Sequence, residues 1–169
     1  MSSRTDPQTE ELRRQLHRAA VASMLPPEGP TLDRAEARVQ ALREQGTDLP
    51  AQRLAEVEAL VQLLRDKGWT APPSVPPRAL AALVHFADAV DLSGSRAPDA
   101  FDLTEVLAGD LEHELIGHAE FQTLRERLGR KRFRSAEERE RRLNTERRRL
   151  RARIQSTGAT RLLGELLHR

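Results

Sequence analysis

TEVLAGDLEHELIGHAEFQTLRERL at Thr104–Leu128 runs, after a short break, into SAEERERRLNTERRRLRARIQ at Ser135–Gln155. Neither stretch contains proline; Val106, Leu107, Leu111, Leu115, Phe121 and Leu124 recur at helical spacing in the first, while the second is almost all charge, with Leu143, Leu150 and Ile154 too sparse to make a clean apolar face. The first is an acidic helix feeding into an arginine-rich one. Together they set the expected fold class, an all-α helical bundle with a long charged C-terminal helix.

Helical signals extend outward from this pair. Asp6-Pro7 opens a helix through Leu12 and Leu16 that stops at Pro26-Pro27. Asp33 with Glu36 forms a capping-box pattern for a second helix, closed by Gly46. Asp48, with Pro50 in the first turn, starts a third through Leu54, Val57, Leu60, Val61 and Leu64. WTAPPSVPP, residues 69–77, carries four prolines in nine residues and predicts extended polyproline geometry. The run from Arg78 to about Val90 is apolar on nearly every side and predicts a helix central to the core. Asp91–Ala100 reads as a loop. Asp102 with Glu105 caps the acidic helix, which should run unbroken to Gly129, and Ser135 with Glu138 caps the basic one. Ser156-Thr157-Gly158 should end that helix before a short amphipathic one bearing Leu162, Leu163, Leu166 and Leu167. The expected organisation is an N-terminal helical segment 1–68, a proline-rich linker 69–77, a helical core 78–129 and an Arg-rich remainder 130–169.

Composition narrows the function classes. With no cysteine, disulfides, thiolate metal sites and a cysteine nucleophile are excluded, and a reducing, cytoplasmic location is expected. No apolar run is long enough to span a bilayer, and MSSRTDPQTEE does not resemble a secretory leader. Ser93 and Ser95 have no nucleophile-elbow pattern around them, and no glycine-rich phosphate loop occurs.

The near-neutral net charge of +2 conceals polarity. Asp88–Glu120 holds nine acidic residues against one basic, and Arg130–Arg153 holds twelve basic against four acidic. Two neighbouring segments of opposite sign can neutralise each other, and Glu137/Arg141 and Glu138/Arg142 are i,i+4 pairs of a solvated helix. The functional alternative assigns Arg147, Arg148, Arg149, Arg151 and Arg153 to phosphates of nucleic acid or to an acidic partner. Phe133 is the one aromatic nearby, so any nucleic-acid binding would be nonspecific and salt-sensitive.

HELIGH at His113–His118 invites comparison with the zinc-protease helix, but its histidines are i,i+5 and lie about 140° apart around the axis. One helix cannot offer both to one metal. Asp110, Glu114 and His118 do share a face, and with Asp88, Asp91 or His85 from another helix they would make a carboxylate/imidazole set for a divalent metal or proton transfer. The plain alternative is a row of polar side chains solvating a helix.

ALAALVHFADAVDL at Ala79–Leu92 and DLEHELIGHAEFQTLR at Asp110–Arg125 resemble the YkvA-like family of helical bacterial domains of unknown function. Phe86, Asp88, Asp91, Leu92, Pro98, Asp99, Leu111, Glu114, Phe121 and Arg125 fall on its pattern; Ala89 stands where the family usually has proline and His118 where it has tyrosine. The resemblance spans residues 79–125, implies a helical fold and carries no reaction. It places Asp88, Asp91, Asp99 and Glu114 among the family's polar positions and makes His118 a packed side chain.

The leading expectation is a noncatalytic helical interaction or scaffold protein with a protein partner or self-association and no cofactor. The alternatives are a nonspecific nucleic-acid-associated protein using Arg147–Arg153, and a metal-dependent enzyme using Asp88, Asp91, Glu114 and His118.

Overall fold

The computed structural model describes residues 6–21, 26–46, 50–88 and 99–167. Among them are seven helices, α1 (Pro7–Val21), α2 (Glu28–Glu44), α3 (Ala51–Arg65), α4 (Val75–Asp88), α5 (Asp99–Asp110), α6 (Glu112–Gly129) and α7 (Ala136–Leu167), and no strand. The protein is an all-α helical bundle, and it divides into two compact units at Asp110/Leu111. That boundary falls inside the stretch read from sequence as one core, 78–129.

In the first unit α4 packs against α1, α2, α3 and α5. Its composition explains this position. Ala79 and Ala82 are fully buried and let neighbouring backbones approach, while Val75, Leu83 and Phe86 fill the space between helices. Phe86 meets Phe101 of α5 with ring centroids 5.1 Å apart and planes tilted by 59°, the offset geometry that aromatic quadrupoles favour. Leu16 of α1, Leu32, Ala35, Val39 and Leu42 of α2, and Val57, Leu60 and Val61 of α3 complete the core. Two threonines inside it satisfy their own hydroxyls: Thr31 donates to the Pro27 carbonyl at 3.0 Å and Thr104 to that of Phe101 at 2.8 Å.

Several boundaries differ from the local signals. α2 starts one turn before the Asp33/Glu36 pattern, with Pro27 as N-cap and Pro30 in its first turn, where a missing N–H costs nothing. Asp33 and Glu36 instead accept from Arg65 of α3 at 2.6 and 2.8 Å. Gly46 ends the segment at φ +61°, a left-handed conformation that glycine adopts without a Cβ clash. The proposed cap Asp48 lies outside the described residues. Of the proline-rich stretch 69–77, Val75, Pro76 and Pro77 form the first turn of α4, for the same reason as Pro30, and Trp69 is buried. Residues 89–98, which include Asp91 and the predicted loop, lie outside the described residues.

The acidic helix is interrupted. α5 ends at Asp110, and Leu111 leaves helical geometry (φ −103°, ψ 11°) before α6 begins. Gly109 weakens the helix two residues before Leu111. The Asp110 carboxylate is gripped by Arg13 of α1 (2.8 and 3.0 Å) and Arg78 of α4 (2.8 Å), which ties the end of α5 to both helices. The hydrogen bond to Asp110 holds the Arg13 guanidinium above its ordinary pKa, with Glu10 adding to the effect against the cost of burial. Burial moves Arg38 the other way; its guanidinium lies 5.4 Å from the Phe86 ring centroid and donates to the Ala87 carbonyl at 3.4 Å.

In the second unit α6 and α7 form an antiparallel hairpin joined by residues 130–135. The Ser135/Glu138 signal is realised: the Glu138 N–H donates to Ser135 Oγ (3.1 Å), and Glu138 Oε2 accepts from the Arg134 N–H (3.0 Å). The predicted stop at Ser156-Thr157-Gly158 is not used, and α7 continues to Leu167. Ser156 turns its hydroxyl back to the Arg153 carbonyl at 2.8 Å, and one glycine costs only about 1 kcal/mol in a helix interior.

Phe86 is the side chain on which the first unit converges. Phe86→Ala should lower the free energy of unfolding by about 3–5 kcal/mol in urea titration, whereas the exposed substitution Gln15→Ala should change it by less than about 0.5 kcal/mol.

Candidate basic contact surface

The hairpin decides which arginines remain available. Glu114 sits on the buried side of α6 with 5% of its surface exposed. A carboxylate there needs a partner, and Arg151 of α7 supplies one, Nη1 lying 2.5 and 2.7 Å from its two oxygens. One turn and a half further along α6, Glu120 pairs with Arg153. Two of the five arginines read from sequence as a free cluster are therefore matched by acidic residues of α6.

The other three are engaged on α7 itself. Arg147 donates to Asn144 Oδ1 at 2.5 Å, Arg148 to the Asn144 carbonyl at 3.4 Å, and Arg149 to Glu146 at 3.1 Å. Glu146 also lies 3.6 Å from Arg142. Arg148 alone of these has its charge answered only by a backbone carbonyl.

The residues considered for metal binding are placed as follows. Asp88 of α4 pairs with Arg34 of α2 at 2.9 Å. Glu114 is bound to Arg151 as above. His118 is 3% exposed, with Nε2 lying 3.2 Å from Gln122 Nε2. Asp91 lies outside the described residues. Among those described, no three His, Asp or Glu side chains gather in a way that would hold a metal ion. His113 and His118 differ in burial, as their i,i+5 spacing requires.

A groove of about 460 Å³ between α2 and α3 has Val39 and Val61 at its base. Its charged lining residues are ion-paired, Arg43 with Glu58 (2.6 and 2.7 Å) and Asp33 and Glu36 with Arg65. These bonds hold both arginines above their ordinary pKa. The polar groups around this groove are turned toward one another.

The unmatched charge lies elsewhere, at the hairpin turn. Residues 130–134 read Arg-Lys-Arg-Phe-Arg, and the four basic side chains are exposed. Arg127 in the last turn of α6 and Arg139 in the first turn of α7 flank them. Among the described residues none of Arg127, Arg130, Lys131, Arg132, Arg134 and Arg139 has a carboxylate within ion-pair distance. Of the nearby carboxylates, Glu138 closes the helix cap, Glu137 pairs with Arg141 at 3.5 Å and Glu140 accepts from Asn144 at 3.2 Å, while Glu126 is exposed beside Arg127 and pairs with none of these cations. The sequence signal for this site is the RKRFR run between Gly129 and Ser135, where there is no helix to set an i,i+4 partner beside each cation. Charge counted over the whole of 130–153 hides it.

Compared with known proteins, the chain matches no family model, no curated protein and no solved structure.

The buried pair yields a direct test. Arg151→Ala strands Glu114 and should cost about 3 kcal/mol, as should Glu114→Ala, while the double variant should lose far less than the sum. A double-mutant cycle followed by thermal or urea unfolding measures this; additive losses would remove the pair from the account of the hairpin.

Proposed function

We propose that this chain is a noncatalytic helical interaction protein whose contact surface is the basic turn of the α6–α7 hairpin, Arg127 to Arg139. The observation that carries the reading is the concentration there of exposed cations without carboxylate partners. Elsewhere in the described residues, arginines are mostly matched: Arg13 and Arg78 to Asp110, Arg43 to Glu58, Arg65 to Asp33 and Glu36, Arg151 to Glu114. Exposed ion pairs contribute little to stability. Their value here is as contrast, because a protein that matches its charges so widely leaves one patch unmatched.

Among the described residues no helix is long and apolar enough to cross a membrane. A cytoplasmic location and the likeness of residues 79–125 to YkvA-like domains belong to the same proposal. The likeness adds no activity, and the stretch it covers straddles the division at Asp110/Leu111. The metal-dependent alternative is disfavoured by the arginines that already hold Asp88 and Glu114.

The surface is tested on an immobilised sulfated polysaccharide, which presents dense negative charge of no particular sequence. Replacing Arg130, Lys131, Arg132 and Arg134 together with alanine should lower the salt needed for elution markedly. Replacing Arg147, Arg148 and Arg149 should lower it much less, with far-UV circular dichroism unchanged in both. Equal elution of the turn variant and the parent would refute the assignment.

A further inference from the structure

The turn is arranged against the local field on one of its two sides. Arg127, Arg130 and Lys131 stand at the C-terminal end of α6, where the helix dipole leaves partial negative charge and cations are stabilised. Arg132 and Arg134 stand immediately before α7, whose end carries positive charge. Glu137 and Glu138 are the acidic residues of that first turn, and they are engaged with Arg141 and with the Arg134 N–H. Two arginines therefore precede a helix end of their own sign, beside four further cations that have no carboxylate partner among the described residues. An anion from outside relieves both costs at once.

The surroundings select the anion. A folded protein partner is normally recognised through an apolar centre, and an anionic membrane through an apolar face that enters it. The turn offers neither. The large exposed apolar residues among those described are Val21 and Ile116, both remote from it in sequence, and Phe133 is half-buried. What the turn does offer is charge repeated on both of its sides, carried mainly by guanidinium forks that fit phosphate oxygens two at a time. Packed helices lie about 8–10 Å apart, so these cations are spread over a width that a single carboxylate or phosphate does not cover. A polymer with closely spaced phosphates does.

We infer that the α6–α7 turn binds the phosphodiester backbone of nucleic acid through Arg127, Arg130, Lys131, Arg132, Arg134 and Arg139. This rests on the contact-surface reading above and names its partner. The binding reads no base sequence, because one half-buried phenylalanine makes no stacking platform and phosphate contacts position without specifying. It differs from the Arg147–Arg153 assignment made from sequence, where Arg151 and Arg153 are held by Glu114 and Glu120.

Fluorescence anisotropy of the full chain with a labelled DNA duplex of about 20 base pairs, and with single-stranded DNA and RNA of the same length, tests this across about 50 to 200 mM salt. Six phosphate contacts give a slope of log affinity on log salt of about −5 for duplex and about −4 for a single strand, a loss on the order of 10³-fold over that range on duplex. The duplex and single-strand arms identify which form the turn prefers. The Arg132→Ala, Arg134→Ala double variant should flatten the slope by about 2 and weaken binding on the order of 10²-fold at the low-salt end. The lysine double variant at the same positions should restore most of the slope. Arg14→Ala with Arg18→Ala makes the same change of net charge on α1 and should leave the slope as it was. No anisotropy change at low salt, or equal losses in the two alanine double variants, overturns the inference. Polyglutamate that competes as well as duplex at equal charge concentration overturns the nucleic-acid assignment and leaves the contact surface standing. Failure on the sulfated polysaccharide as well removes both.

Discussion

A carboxylate on the buried side of a helix is costly without a partner, and Glu114 makes that demand of the hairpin. Arg151 meets it through both oxygens of Glu114 from a position 37 residues away. Because α7 must present Arg151 to that point, its register against α6 is constrained. Arg153 of the same helix reaches Glu120 of α6 as a second ion pair. Buried pairs of this kind add little net stability compared with apolar side chains of similar size, and their effect lies in penalising other registers.

The first unit handles charge differently. Its core is apolar and centred on α4, and its ions lie around the rim, several pairs joining neighbouring helices: Arg43 to Glu58, Arg65 to Asp33 and Glu36, Arg34 to Asp88. Asp110 binds two arginines from two different helices. It stands at the C-terminal end of α5, where a negative charge opposes the helix dipole, and the two arginines that grip it offset that cost. The end of α5 is fixed to α1 and α4 at the residue where the first unit stops.

Much of the fold was legible in the sequence because its signals are local. The all-α class, the apolar character of α4, the Gly46 terminator and the Ser135/Glu138 cap all depend on residues within one or two turns of one another. The errors arose where two local signals competed. Asp33/Glu36 has the pattern of a helix start, but Pro27 and Pro30 start the helix earlier and free those carboxylates for Arg65. Ser156-Thr157-Gly158 has the pattern of a stop, but nothing there forces the backbone out of the helix. The Leu111 interruption had only Gly109 to announce it. The contact surface was less legible for a different reason. Arg151 and Arg153 were indistinguishable in sequence from free cations, since their partners lie 37 and 33 residues away. The RKRFR run was visible throughout, but its significance came only once its neighbours had been paired off.

The continuation of α7 past Gly158 has a mechanical consequence. At 1.5 Å per residue its 32 residues make a rod about 48 Å long, whereas the 18 residues of α6 reach about 27 Å. The basic turn stands at one end of that rod, and the sequence of its far end, Leu162, Leu163, Leu166 and Leu167, is the most apolar part of it. One continuous helix cannot shorten without breaking backbone hydrogen bonds, so its two ends are held apart by a nearly constant distance. Inserting or deleting residues near Ser156 would alter both the length of the helix and the angle between its two ends.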